Sequence, residues 1–194
     1  MVRRQNTRQM LVAATIRLVT QHGPQAATTR AIAKATGITE GAIYRHYASK
    51  DELRWHAYAQ VVEEMYEEKR HLADSDQPLR SKIREWVELT FSYYDRNPDA
   101  FTYVLLLPPP PSDPDRQITT KQGSLFMQIV SRGLENGALR PISPELALSH
   151  FTGLMLNVPR LINEGRLEGP AIPYAVEVAD SIWRVLGREG KEVE

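Results

Sequence analysis

The sequence predicts an all-α protein in two parts: an amino-terminal three-helix unit containing a helix-turn-helix, and a larger helical body, with about nine helices in total. Three observations carry this prediction. Apolar residues recur every three or four positions along most of the 194 residues, with no two-residue strand alternation. Glycine and proline fall between the periodic stretches, where helices have to stop. Charge is unevenly divided: residues 1–50 hold eight Lys and Arg against the single acid Glu40, a balance of +7. The other 144 residues hold 16 basic and 23 acidic groups, a balance of −7, so the zero net charge hides a polar chain.

Residues 8–22 place Met10, Leu11, Ala14, Leu18 and Val19 on one side of a first helix, which Gly23 and Pro24 end. Thr28 or Thr29 can cap a second helix, apolar at Ala31, Ile32 and Ala35 and closed by Gly37; Thr39 caps a short third one. A long helix starts at Asp51, where Asp51 and Glu52 suit the positive end of the helix dipole. It runs to about Leu72 through Leu53, Ala57, Val61 and Met65. After a break at Ser75–Pro78, a helix over Leu79–Tyr94 turns Ile83, Trp86, Val87, Thr90 and Phe91 to one face. Asn97-Pro98 marks a turn before the short apolar segment Phe101–Leu107.

Pro108–Pro111, with Pro114 close behind, cannot be helical and reads as an extended loop, either a surface spacer or a recognition segment. Helix resumes from about Arg116 to Asn136, again from Pro144, and a last time over Ile172–Leu186. Pro159 should kink the helix that contains it or begin a new turn.

Composition narrows the chemistry. Hydrophobic content of 42% and charged content of 25% are ordinary for a globular protein. The absence of Cys excludes disulfides, thiolate metal sites and thiol nucleophiles, and fits a reducing, cytoplasmic location. The first ten residues lack the apolar core of a secretion signal, and no apolar run is long enough to span a bilayer, so no membrane partner is expected. His and carboxylates do not cluster at metal-ligand spacing and no phosphate loop occurs. The chain is therefore expected to be no enzyme, with neither metal nor cofactor.

The stretch Thr28–Lys50 carries the chemistry that remains. Two short helices about a glycine-containing turn match the helix-turn-helix, whose second helix enters a DNA major groove. Ile32, Ala33, Ala35, Ile38 and Ile43 would pack the pair against the first helix. Thr39 and Gly41 fall at the groove-facing tip, and glycine there makes sense where bulk would hold the backbone away from a base pair. Arg45 has the fork that matches guanine, although a phosphate is an alternative partner. Tyr44, His46 and Lys50 are assigned to phosphates, which set register, and Tyr47 to the core beneath them. Arg3, Arg4 and Arg8 either reach flanking DNA or belong to a solvated tail.

Residues 10–53 resemble the amino-terminal domain of the TetR/AcrR family of transcriptional regulators. The resemblance lies in Met10-Leu11, Ala14, Gly23, Thr28-Thr29, Ile32-Ala33, Ala35, Gly37-Ile38, Gly41, the run Ile43–Tyr47 and Lys50–Leu53. Tyr47 departs mildly, standing where that family usually has Phe. The resemblance implies a DNA-binding domain over residues 1–50, with its motif at about 28–47, and an effector-binding and dimerisation domain over 51–194. It implies backbone contacts at Tyr44, His46 and Lys50, which with Thr28, Thr29, Thr39, Gly41 and Arg45 make up the candidate DNA-binding set. It further implies a homodimer on a pseudo-palindromic operator in double-stranded DNA, usually repressing, and released by a small-molecule effector of unknown identity.

The body is rich in aromatic and Met side chains that either form plain core or line a mainly apolar effector pocket. These are Trp55, Tyr58, Met65, Trp86, Phe91, Tyr94, Phe101, Tyr103, Phe126, Met127, Phe151 and Met155, with His150 and Asn157 as polar members. Leu148, Phe151, Leu154, Val158, Leu161, Val176, Ala179, Ile182, Trp183 and Leu186 supply either intrachain core or a helix-pair dimer interface. The long helix from Asp51, which joins the two parts, is the natural lever between them. The competing functional reading is a helical small-molecule-binding or interaction protein without sequence-specific DNA binding.

Overall fold

Helix is the only regular structure among the described residues apart from one isolated antiparallel bridge, Leu139 to Gly187. The structure, a computed structural model, describes residues 2–110 and 116–188, and the side chains of Arg3 and Arg4 as well as Pro111 and Pro114 lie outside that description. The α-helices are α1 (Val2–His22), α2 (Thr29–Thr36), α3 (Glu40–Ile43), α4 (Lys50–Lys69), α5 (His71–Asp74), α6 (Leu79–Arg96), α7 (Pro98–Phe101), α8 (Arg116–Glu135), α9 (Pro144–Asn163) and α10 (Ala175–Leu186). The all-α expectation holds, with short elements α3, α5 and α7 of four residues each.

The chain divides into two compact units, Met1–Glu63 with Asp99–Thr119, and Glu64–Pro98 with Thr120–Glu194. In the first, α1 packs on α2 and α2 on α3. Leu11, Val12, Ala14, Val19, Ile32, Ala33, Ile43, Tyr47 and Leu53 are its buried apolar residues around the helix-turn-helix. Two polar ties bring residues 99–106 into this unit. The Thr20 hydroxyl bonds Asp99 Oδ1 at 3.0 Å, and Tyr103 Oη donates to the Arg54 carbonyl at 3.0 Å. The apolar segment expected after Pro98 forms α7 and then a wider π-type turn over Thr102–Leu106, closed by the Leu107 amide on the Thr102 carbonyl at 3.1 Å.

In the second unit α10 packs against both α6 and α9. Leu72, Ile83, Val87, Phe91, Ala147, Phe151, Ile182 and Leu186 are buried there. Ser143 caps α9 through its Oγ, which accepts the Leu146 amide at 3.3 Å, and Pro144 takes the first helical position, where a missing N–H costs nothing. Asp95 accepts the amides of Ala171 and Ile172 at 2.7 and 2.9 Å, fixing the 3₁₀ turn over Ile172–Tyr174 that precedes α10.

One boundary differs from expectation: the helix expected to run to Leu72 closes at Lys69 and restarts as α5. α9 runs through Pro159 to Asn163, so Pro159 begins no new element. Pro159 is buried four residues before the end of α9, where its missing N–H frees only the Met155 carbonyl.

Candidate nucleic-acid interface

Local chemistry builds the helix-turn-helix. Thr28 is the N-cap of α2, its hydroxyl accepting the Ala31 amide at 3.1 Å, and Thr39 caps α3 in the same way through the Ala42 amide at 3.2 Å. Between them Gly37 sits in the left-handed region at φ 71°, and its amide returns to the Ala33 carbonyl, which ends α2 and turns the chain. Ile32, Ala33 and Ile43 face inward, so the opposite side of the motif is left to solvent.

That outer side is where the DNA-contact candidates lie. Thr28, Thr39, Gly41, Tyr44, Arg45 and Lys50 are exposed, and Thr29 and His46 are partly so. Tyr44 is 54% exposed, an unusual setting for a ring that could have been buried, and its hydroxyl lies 3.4 Å from that of Thr29. α3 ends at Ile43, so Tyr44 caps it and Arg45 stands in the turn that follows. A Cβ added at Gly41 would meet nothing within 4 Å. Folding therefore does not demand glycine at this helical position, where alanine would be the better helix former.

Beneath the surface, Tyr47 is buried and its ring lies 5.3 Å from that of His56, with the Arg8 guanidinium 5.7 Å from the Tyr47 centroid. Burial pushes the Tyr47 phenol up, and burial together with Arg8 pushes the His56 imidazole down. The Tyr47 hydroxyl is buried and accepts or donates no hydrogen bond among the described residues.

The pocket candidates separate by unit. Trp55, Tyr58, Phe101 and Tyr103 are buried in the first, where Tyr58 meets Trp55 and Tyr103 edge-on at 5.4 and 6.3 Å, and burial pushes the Tyr103 phenol up to about 12. Met65, Trp86, Phe91, Tyr94, Phe126, Phe151 and Met155 are buried in the second, while Met127 and His150 are partly exposed. Trp86, Phe126 and Phe151 form one cluster: Phe126 stacks on Phe151 at 4.0 Å, and Trp86 meets both rings edge-on at 5.8 and 5.9 Å. The Tyr94 hydroxyl donates to Asn163 at 2.8 Å. Asn157 is exposed and holds the Arg160 guanidinium, whereas His150 keeps a buried Nδ1 without a partner.

Of the dimer candidates, Phe151, Ala179, Ile182 and Leu186 are buried within the chain itself. Leu148, Val158, Leu161 and Trp183 are half-buried, and Leu154 and Val176 are 37% and 48% exposed. Leu146 on α9 and Ile172 before α10 are also exposed.

Three charged residues that the sequence reading passed over are buried, Arg54, Lys69 and Lys82. Lys69 follows Leu53, Ala57, Val61 and Met65 at the same four-residue step, so the helical stripe itself pointed to it. Lysine is rarely buried unless paired, so the stripe alone does not mark this position as core.

Residues 11–54 match the family described as bacterial regulatory proteins, tetR family. No curated protein matches the chain by sequence. Among solved structures, a TetR family transcription regulator from Marinobacter aquaeolei VT8 is similar at a TM-score of 0.80 and 20% identity, covering 97% of this chain and 100% of that one. A TetR-family transcriptional regulator from Haemophilus influenzae RD gives 0.73 at 18% identity, covering 95% and 98%. The regulator FadR from Bacillus subtilis, solved in complex with stearoyl-CoA, gives 0.74 at 14% identity, covering 90% and 96%.

Proposed function

We propose, for a chain that belongs to the TetR family of bacterial regulatory proteins through residues 11–54, a homodimeric repressor that leaves a pseudo-palindromic operator when a small, mainly hydrophobic effector binds. The chain is a DNA-binding transcription regulator, not an enzyme. The observation that carries the proposal is Gly41: an exposed helical glycine with open space around it, in the most basic quarter of the chain, flanked by exposed Thr39, Tyr44 and Arg45. A surface that keeps glycine for no folding reason is fitted for close approach of a ligand, and the surrounding charge makes that ligand a polyanion.

In this reading the head comprises residues 1–50 and the effector and dimer functions belong to residues 51–194. Thr39, Gly41 and Arg45 face base edges, while Thr28, Thr29, Tyr44, His46 and Lys50 hold phosphates. The open apolar face at Leu146, Leu154 and Val176 supports pairing of α9 and α10 with a second copy. Two heads then engage half-sites about one helical turn apart. The effector acts by binding one head spacing better than the other, and a hundredfold loss of operator affinity needs about 2.7 kcal/mol of coupling. An apolar effector suits the aromatic residues of the chain, and the stearoyl-CoA complex of FadR supports the capacity of this fold for a long acyl ligand. The absence of Cys supports a cytoplasmic setting.

Selection of random duplexes by the purified protein tests the proposal, since binding of arbitrary DNA at low salt reports only phosphate charge. Enrichment of a twofold sequence that still binds at physiological salt is expected. Folded, dimeric protein that enriches no such sequence overturns the proposal and leaves a helical ligand-binding or interaction protein.

A further inference from the structure

Lys69 closes α4 with its side chain only 1% exposed. Its ammonium has three donors, and among the described residues it spends one, on the Met65 carbonyl of its own helix at 3.2 Å. It also lies over the Trp86 ring, 6.0 Å from the centroid. The adjacent carboxylate, Glu68, pulls the amine's pKa partly back up but forms no direct ion pair with it. Glu68 is paired through Oε1 with Arg96 at 2.9 Å, and its Oε2 is buried with no partner. Arg96 adds a second positive charge to the field around the amine. A buried cation with unspent donors and no direct ion pair is a standing cost to the fold unless an anion completes it.

The surroundings say what kind of anion. Trp86, which faces the ammonium, belongs to the cluster with Phe126 and Phe151, all three buried, and Met65 lies one turn before Lys69 on the same stripe. An inorganic ion would gain nothing from such walls. A carboxylate carried on an apolar body would fill both requirements.

We propose that Lys69 is the anion-binding residue of an effector site in the second unit, and that the effector class is a hydrophobic monocarboxylate whose carboxylate takes the free donors of the ammonium while its apolar body packs on the Trp86, Phe126 and Phe151 rings. This rests on the regulator reading given above and narrows its effector. Burial holds the amine down at about 8, so the free protein carries it partly neutral in mildly alkaline solution. An arriving carboxylate raises it again, and binding takes up a proton.

The experiment uses full-length protein with decanoate and decan-1-ol as matched probes, followed by titration calorimetry at pH 8 in buffers of different ionisation enthalpy. Decanoate is expected to bind at least tenfold more tightly than the alcohol and to take up about half a proton per molecule, since an amine with a pKa of about 8 is half protonated there. In Lys69→Met the preference and the uptake both vanish while decan-1-ol binding stays. Failure of decanoate to bind, equal binding of the two probes, absence of proton uptake in the wild type, or a preference that survives in Lys69→Met overturns the proposal. The uptake measurement needs no variant, so it stands even where Lys69→Met does not fold. Release of the selected operator is scored separately. Lys69-dependent decanoate binding without release keeps the anion site and removes the switch. Equal release by both probes keeps the switch and removes the anion site.

Discussion

At the scale of the residue, the head separates folding from recognition. Gly41→Ala adds a methyl into open space on a helix, so stability should hold or rise by up to about 1 kcal/mol. Operator affinity should fall at least tenfold if the glycine serves close approach, and thermal melts with fluorescence anisotropy on the selected operator check both halves. Arg45 and Lys50 are exposed without a hydrogen bond or ion pair among the described residues, and their proposed roles make them differ. Arg45→Ala should relax discrimination at one base pair per half-site. Lys50→Ala should weaken all sequences alike and lower the salt slope by about one, and a salt titration on matched and mismatched operators distinguishes the two. Tyr47→Phe removes a buried hydroxyl that has no partner, and should stabilise the protein by about 1 kcal/mol in urea unfolding.

At the scale of the element, α4 carries a pH signature at its last residue, Lys69. Lys69, lowered to about 8 in the folded chain, returns to about 10.5 when unfolded, so the unfolded chain binds more protons between those values. Stability contributed at this site therefore rises with pH from about 8 toward 10.5, by up to about 3 kcal/mol. The raised phenols of Tyr103 and Tyr93 work against stability once free tyrosine ionises near pH 10, so the useful comparison is pH 7 with pH 9.5. Denaturant midpoints should climb over that interval in the wild type and stay flatter in Lys69→Met.

Elements also show what a sequence discloses. Caps and breakers act within four residues, so Thr39, Gly37 and the start of α9 at Pro144 could be read directly, and so could the span of α8 to within a residue. The π-type turn over Thr102–Leu106 could not, because its hold comes from Tyr103 on the Arg54 carbonyl, far away in sequence. Lys69 was hidden for a related reason: its place in the stripe was visible, but its burial depends on packing among helices distant along the chain. The exposed faces of the head were legible as a pattern, while the roles of individual side chains there depend on DNA.

At the scale of the whole molecule, the exposed apolar residues on α9 and α10 are the proposed dimer face. Leu154 and Val176 are partly exposed and neither fills the intrachain core, so charging them should spare the fold. Leu154→Glu with Val176→Glu should shift the protein from dimer to monomer in sedimentation velocity at micromolar concentration, with helical content unchanged. Affinity for the full operator should then drop toward that of a half-site, because one head alone lacks the second set of phosphate contacts. A double variant that remains dimeric places the interface elsewhere.

The two threonine caps, Thr28 and Thr39, leave a further mark on this protein. Their hydroxyls are already committed to the backbone, so changing either would disturb a helix start as well as any DNA contact. Gly41, Arg45 and Lys50 carry no such second duty. After duplication of its gene, a regulator of the proposed kind could drift to a new operator through Gly41 and Arg45, the two proposed base-facing positions without a capping duty, and never pass through an unfolded ancestor. The architecture thus separates what must be inherited from what is free to be rewritten.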